Sequence, residues 1–113
     1  AFTERYRNKV REWQRYLDRI ADAAQRAMVW GAGSKGVTFL NVLKPQQVEH
    51  IVDINPRKHG MYVPGTGQQI VPPEFLRDNQ PDVVIVMNPI YQAEIQQCVE
   101  SLGLYPEFAS MLG

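Results

Sequence analysis

The stretch of sequence that decides the fold is Ala27-Met28-Val29-Trp30-Gly31-Ala32-Gly33-Ser34-Lys35-Gly36. Four apolar residues, typical of a short buried strand, run directly into three glycines with the G-x-G-x-x-G spacing, and a helical pattern follows. The first glycine permits a tight turn, the second lets the backbone approach a bound group, and the third lets the helix pack on the strand. The stretch therefore predicts the first strand, turn and helix of a Rossmann-like domain.

The rest of the chain alternates short apolar segments with helical ones. We expect strands at 27–30, 48–54, 70–71, 82–87 and 107–109, and helices at 34–43, 74–79 and 90–102. The run Val83-Val84-Ile85-Val86 is typical of a strand covered on both faces of a parallel sheet. In the last helix, the residues expected to face inward are Tyr91, Ile95, Val99 and Leu102. This alternation predicts an α/β fold with a doubly wound, mostly parallel sheet of four to five strands.

An amphipathic helix precedes this unit. Its apolar residues recur at steps of three and four, so they lie on one face of the helix: Phe2, Tyr6, Val10, Trp13, Leu17, Ile20 and Ala24. Such a helix is roughly 30 Å long, so it either packs along the sheet or bridges to a neighbouring domain. Its basic residues favour a solvated face over a phosphate site. We divide the chain into a linker or packing helix, 1–26, and an α/β domain, 27–113.

Composition limits the partners. The 113 residues fit one domain, and 12 Lys and Arg balance 12 Asp and Glu, so no general attraction to nucleic acid or an anionic membrane is expected. No apolar run reaches the roughly 18 residues of a membrane span. The single cysteine fits a reducing compartment, and we expect a cytoplasmic protein. The sequence starts at Ala1 without an initiator methionine, which fits a processed chain or a piece of a longer protein.

The glycine turn is the first candidate ligand site. Free N–H groups at the start of the following helix favour a phosphate or another anion. The candidate residues are Gly31, Gly33, Ser34, Lys35 and Gly36. The alternative is that the glycines only shape a turn.

Three further loops supply candidates. Asp53 ends the second strand 22 residues beyond Gly31, where dinucleotide folds place the acid that binds ribose hydroxyls, although it equally suits capping of the turn before Pro56. The loop candidates beside it and after the fourth strand are Asn55, Lys58 and Asn88. Asn88 binds a ligand or caps a helix. The segment Val63-Pro64-Gly65-Thr66-Gly67, with Thr66 as a candidate, is either a flexible cover over the same crevice or a structural turn.

Patterns for catalysis or metal binding are missing from the sequence. It has no Ser-His-Asp arrangement and no Walker lysine, and His50, His59 and Cys98 lack metal-ligand spacing. Cys98 adjoins the buried face of its helix, which favours a core thiol over a nucleophile. We assign no catalytic residue and no metal ligand.

A family resemblance adds to this interpretation. From about Val29 to Leu102, the chain resembles the C-terminal domain of SAM-dependent sugar C-methyltransferases, which methylate a carbon of nucleotide-linked deoxysugars. The motifs that carry it are the glycine turn, Val52-Asp53-Ile54-Asn55-Pro56-Arg57-Lys58-His59-Gly60, Val63-Pro64-Gly65-Thr66-Gly67, Ile70-Val71-Pro72-Pro73-Glu74, Pro81-Asp82-Val83-Val84, and Asn88 with Glu94-Ile95. The D-x-N-P-x-K-x-G segment followed by P-G-T is far more specific than the glycines. The family's usual tryptophan before the asparagine is replaced here by Met87.

The resemblance implies a larger enzyme. Its parts would be a zinc-binding N-terminal region, a central SAM-binding domain that holds the catalytic base, and this C-terminal domain, with the nucleotide sugar between the last two. The chain would then bind substrate without catalysing methyl transfer, and SAM would belong to the full-length protein. Two alternatives stay open: an NAD(P)- or nucleotide-binding domain of an oxidoreductase or nucleotide-sugar-modifying enzyme, and an oligomerisation module that pairs through its N-terminal helix.

Overall fold

The computed structural model describes residues 2–45 and 47–110, without the side chains of residues 2, 3 and 34. Its helices are α1 (Phe2–Asp22), α2 (Ser34–Leu43) and α3 (Gln92–Ser101), with short 3-10 helices at Pro73–Arg77 and Pro89–Tyr91. Its strands are β1 (Ala27–Trp30), β2 (His50–Val52), β3 (Gln69–Val71), β4 (Val83–Val86) and β5 (Glu107–Ser110). No helix in this described part is long and apolar enough to cross a membrane.

The strands of the described residues form one five-stranded sheet in the order β3-β2-β1-β4-β5. Every pair of neighbouring strands in it is parallel, and Val29 of β1 pairs with Ile51 on one side and Ile85 on the other. The chain moves outward from β1 to β3, then returns to place β4 on the other side of β1. The strand order therefore reverses between β1 and β4, as in a Rossmann-like fold. The predicted fold class is confirmed.

Both faces of the sheet are covered. Val29, Val83 and Ile85 belong to an apolar cluster with residues of α1 and α2. Trp30 and Val84 point into a second cluster, which contains residues of α3 and of the 3-10 helix Pro73–Arg77. All residues of β1 and β4 are buried, because each strand alternates its side chains between two covered faces. This two-sided burial explains the continuous β-branched run of β4.

The N-terminal helix packs along the sheet, the first of the two expected arrangements. Leu17 and Ile20 are buried in the cluster that contains Phe39 of α2, and the Trp13 and Phe39 rings meet edge to face with centroids 5.4 Å apart. Because this apolar face is used within its own chain, pairing of α1 between chains would require it to leave the core. The oligomerisation alternative stays a prediction.

The ends of α1 differ from the predicted apolar face. Tyr6 is 48% exposed, because a 21-residue helix is about 31 Å long and extends past four-residue strands of about 13 Å. Ala24 follows the end of the helix at Asp22 and adopts a φ of 54°. Neither residue belongs to the packed face.

Other element boundaries also differ from the prediction. The second strand is limited to residues 50–52, because its partner β3 has only three residues and the Val48 N–H bonds the Pro45 carbonyl instead. The expected helix at 74–79 is a short 3-10 helix. In the last helix, Tyr91 was expected to face inward but is 52% exposed, because it is the N-cap of α3 and lies outside its regular turns. Ile95 and Val99 are buried as predicted.

Candidate ligand-binding crevice

A crevice of about 750 Å³ lies at the carboxyl ends of β1, β2 and β4, where the strand order reverses. Ligands of open α/β sheets bind at this position. The crevice is lined by Trp30, Gly31, Gly33, Lys35, Gly36, Asp53, Ile54, Met87, Asn88, Tyr91, Glu94, Ile95 and Cys98. Six of these are among the ten candidates from the sequence: Gly31, Gly33, Lys35, Gly36, Asp53 and Asn88. The structure thus brings three separate loops to one cleft.

Two glycines give the turn its shape. Gly31 has a φ of +118°, a conformation that favours glycine, and its N–H donates to the Val52 carbonyl at 2.8 Å. A Cβ on Gly36 would lie only 2.0 Å from the carbonyl oxygen of Gly31. These contacts confirm the predicted tight turn at the first glycine and the close packing at the third.

The middle glycine faces open space. Gly33 is the N-cap of α2, with φ −80° and ψ −170°, and it has no side chain to cap the helix. A Cβ built there would meet no atom of the described residues within 4 Å. The first turn of a helix carries N–H groups without intrahelical partners and a positive end of the dipole. With the exposed Lys35 on the same wall, this geometry suits an anion. The side chain of Ser34 is outside the described part.

Asp53 ties the second loop to the glycine turn. Its Oδ2 accepts from the Ala32 N–H at 2.9 Å, and its Oδ1 accepts from the Asn55 N–H at 2.8 Å. Lys58 Nζ donates to the Ala32 carbonyl oxygen at 3.3 Å and lies 3.9 Å from Asp53 Oδ2. The capping role expected for Asp53 is confirmed, and it extends to the glycine turn. A ribose contact of Asp53 stays a prediction.

The loop after Asp53 is held by its own hydrogen bonds. Asn55 Oδ1 accepts from the Arg57 N–H at 3.1 Å, and His59 Nε2 donates to the Asp53 carbonyl oxygen at 2.6 Å. Asn55 is exposed and shapes this loop, but it is not part of the crevice wall. Lys58 therefore contacts the glycine turn, whereas the side chain of Asn55 bonds only within its own loop among the contacts described.

Asn88 lines the crevice from the loop that follows β4. Its Oδ1 accepts from the Ile90 N–H at 3.3 Å, so the side chain caps the 3-10 turn Pro89–Tyr91. The capping interpretation is confirmed, while ligand contact by Asn88 stays a prediction.

Thr66 lies away from these residues. The Ile70 N–H donates to the Met61 carbonyl at 2.8 Å, so the chain before Thr66 runs antiparallel to β3 and carries the turn to the amino end of that strand. There Asn41 of α2 donates from Nδ2 to the Pro64 carbonyl at 3.1 Å, and Thr66 Oγ1 donates to Gln68 Oε1. The interpretation of 63–67 as a cover is wrong, because this turn lies at the opposite end of the sheet from the crevice. It is a structural turn.

The apolar part of the crevice was not among the residues predicted from the sequence. Trp30 and Met87 adjoin the ends of β1 and β4, and Ile54 follows the end of β2. These three residues could have been predicted from their positions at strand ends, because the carboxyl ends of parallel strands lie at the same edge of the sheet. Beside the three loops, one face of α3 and its N-cap also lines the crevice. Residues at steps of three and four form this face: Tyr91, Glu94, Ile95 and Cys98.

The crevice also contains the only cysteine of the chain. Cys98 packs against the cluster of α3, and burial, with a further effect of Glu74, raises the pKa of its thiol. A raised pKa keeps the thiol protonated near neutral pH and disfavours a nucleophilic role. Among the described residues, no three or more His, Cys, Asp or Glu side chains are grouped to hold a metal.

The sheet order and the crevice at its switch point define the class of protein, a Rossmann-like α/β domain. Within that class, a family model described as "C-methyltransferase C-terminal domain" matches residues 1–103, and the chain belongs to this family. A search of curated proteins found no match. A similar solved structure is that of RSP, a Rex-family repressor, with 12% sequence identity, a TM-score of 0.57 and coverage of 93% of this chain and 85% of that one. At this identity the similarity shows the fold alone.

Proposed function

We propose that this chain is the substrate-binding, non-catalytic domain of a SAM-dependent C-methyltransferase, and that its crevice holds a nucleotide-linked sugar. The observation that carries the proposal is the open N-terminus of α2 at Gly33, on the wall of a crevice at the switch point. Membership of the family supplies the reaction class. Methyl transfer belongs to a SAM-binding domain of the same full-length, cytoplasmic enzyme.

The chemistry of the walls supports this ligand class. The diphosphate would lie at Gly33, where the N–H groups of the first turn of α2 and the positive charge of Lys35 compensate its charge. The exposed Ile54 and Tyr91 offer apolar surface to a base or a deoxysugar, beside the buried Trp30 and Met87. A volume of about 750 Å³ is within the range of small-molecule sites.

We assign neither SAM nor NAD to this crevice. Both contain a ribose whose hydroxyls are bound by a carboxylate at the end of the second strand in Rossmann domains. Here Asp53 has a backbone role, since its two oxygens accept the N–H groups of Ala32 and of Asn55. We therefore place SAM in the catalytic domain of the full-length protein.

The contacts of Asp53 and Cys98 fit a domain that binds substrate without catalysing methyl transfer. Asp53 is bound to the backbone of the glycine turn, and the raised pKa of Cys98 leaves its thiol protonated. Proton transfer during methylation is assigned to the SAM-binding domain.

Calorimetric titration of the chain with a dTDP-linked deoxysugar tests the proposal. In Gly33→Asp, the new carboxylate caps α2 and occupies the anion position, so affinity should fall by about tenfold or more. Gly33→Asn is the matched control: it adds a neutral cap of the same shape and should stay within about threefold of the original affinity. Saturable binding that is equal in all three proteins would contradict the proposed position of the diphosphate.

The dinucleotide alternative makes the opposite prediction. If this domain binds NAD, NADH fluorescence should rise saturably on addition of the chain, and Asp53→Ala should abolish the rise. A response to NADH with none to the sugar nucleotide would replace the proposed function by this alternative.

A further inference from the structure

We infer that Asp53 and Lys58 are positioning residues, which fix the direction of the Gly33 N–H in the glycine turn without binding the ligand themselves. The expected effect on ligand affinity rests on the proposed function. The fixed conformation of the glycine turn is a property of the free protein. The key residue is Ala32, whose N–H and C=O both point to the loop after β2.

The two contacts hold two consecutive peptide units. The Ala32 N–H belongs to the unit shared with Gly31, and it donates to Asp53 Oδ2 at 2.9 Å. The Ala32 C=O belongs to the unit shared with Gly33, and it accepts from Lys58 Nζ at 3.3 Å. The backbone angles φ and ψ of Ala32 relate these two planes. Fixing both planes therefore fixes the conformation of Ala32.

The planarity of each unit determines where its other end points. In a trans peptide, C=O and N–H point in opposite directions, so the Gly31 carbonyl points away from Asp53. The structure agrees, because this carbonyl lies against Gly36 of α2, 2.0 Å from where a Cβ would be. By the same geometry, the Gly33 N–H points away from Lys58. Gly33 is a wall residue of the crevice, so Lys58 sets the direction of a donor that it does not contact.

Hydrogen bonds within the loop after β2 fix the positions of Asp53 and Lys58. The Lys58 N–H donates to the Asn55 carbonyl at 3.0 Å, and the Asn55 side chain accepts from the Arg57 N–H at 3.1 Å. The His59 ring holds the Asp53 carbonyl at 2.6 Å. These bonds account for the D-x-N-P-x-K segment: Asn55 and the lysine's own backbone close the loop, and Asp53 and Lys58 extend from it to Ala32.

Amide NMR of the free protein tests the structural part. In Lys58→Met, the Gly33 ¹⁵N resonance should shift, because the carbonyl of its own peptide unit loses a donor. Lys58→Arg should restore the shift, because its guanidinium donates to the same carbonyl. In Asp53→Asn, exchange of the Ala32 amide should accelerate by about tenfold or more, since its charged acceptor is lost. Arg57→Met, in the same loop, is the control and should leave both signals unchanged.

Affinity for the dTDP-linked deoxysugar tests the consequence. It should fall by about tenfold in Lys58→Met and recover in Lys58→Arg. Lower affinity with unchanged Ala32 and Gly33 signals would mean that Lys58 contacts the ligand, which overturns the inference. Unchanged signals in both Lys58→Met and Asp53→Asn would overturn it as well. If the original chain binds no sugar nucleotide, the proposed function fails, while the exchange and shift measurements still decide whether the two residues hold the turn.

Discussion

Gly31 and Gly36 approach each other backbone to backbone: a Cβ on Gly36 would lie 2.0 Å from the carbonyl oxygen of Gly31 and 3.2 Å from Cδ1 of Ile51. Atoms at the first distance overlap, so α2 can start this close to β1 only because residue 36 has no side chain. The approach brings the N-terminus of α2 to the crevice. The spacing of the glycines is thus a packing requirement before it is a binding feature.

Replacement of Gly36 by alanine should therefore destabilise the fold. We expect a loss of about 2–3 kcal/mol in the free energy of unfolding, because the obstructing atom is backbone and cannot rotate away. Urea denaturation followed by circular dichroism measures it. Gly33→Ala is the control, since its φ of −80° is ordinary and its Cβ would meet no described atom within 4 Å. Its effect should be within about 1 kcal/mol. Equal losses in the two variants would contradict this role of Gly36.

Much of the fold could be predicted because its signals are local. The β-branched run of β4 marks a strand buried on both faces, and the glycine spacing marks the turn. The position of Thr66 could not be predicted, because it depends on the antiparallel pairing of Tyr62 with Gln69, which leaves no periodic pattern. The contacts of Ala32 with Asp53 and Lys58 join residues 21 and 26 positions apart and follow from the sheet order. Sequence placed these residues near each other without showing which bonds they form.

Tyr16 offers a test of stability against pH. Its hydroxyl is buried without a hydrogen-bond partner among the described residues, and burial, followed by the charge of Glu107, raises the pKa of Tyr16 above 10.0. A raised pKa means that the neutral form is favoured in the folded state. The contribution of neutral Tyr16 to the free energy of unfolding is therefore fully present below pH 10. It is lost as the pH rises through the folded-state pKa.

We accordingly expect Tyr16→Phe to be neutral or stabilising by up to about 1 kcal/mol at pH 8, because an unpaired hydroxyl is removed. Its advantage over the original chain should grow above pH 10. Urea denaturation at pH 8 and pH 10.5 measures both effects, with the exposed Tyr105→Phe as the control. A loss of more than about 1 kcal/mol at pH 8 would show that the hydroxyl has a partner.

Thr66 provides a negative control for the binding site. Thr66→Val removes the hydrogen bond to Gln68, yet the turn lies at the amino end of β3, so affinity for the dTDP-linked deoxysugar should stay within about twofold of the original value. Lys35→Gln, which removes a positive charge from the crevice wall, should weaken binding by about threefold to tenfold. Calorimetry of both variants checks this. Weaker binding in Thr66→Val alone would place the ligand at the other end of the sheet.

Cys98 allows the crevice to be probed chemically. Because its pKa is raised, we expect iodoacetamide to modify it more slowly at pH 7.5 than it modifies free cysteine, and faster as the pH rises. A bound sugar nucleotide should slow the reaction further, since Cys98 lines the crevice. Mass spectrometry of the intact chain follows the reaction at this single cysteine. Modification as fast as that of free cysteine would contradict the half-buried, protonated state.

We propose that the turn at Gly33 and the loop at Asn88 together hold a nucleotide-linked sugar. Titration of the ¹⁵N-labelled chain with a dTDP-linked deoxysugar, followed by amide chemical shifts, shows which residues the ligand contacts. We expect the shifts to concentrate at Gly33, Lys35 and Asn88, with the amides of 64–67 unchanged. Shifts confined to other surfaces, or none at saturating ligand, would contradict the claim.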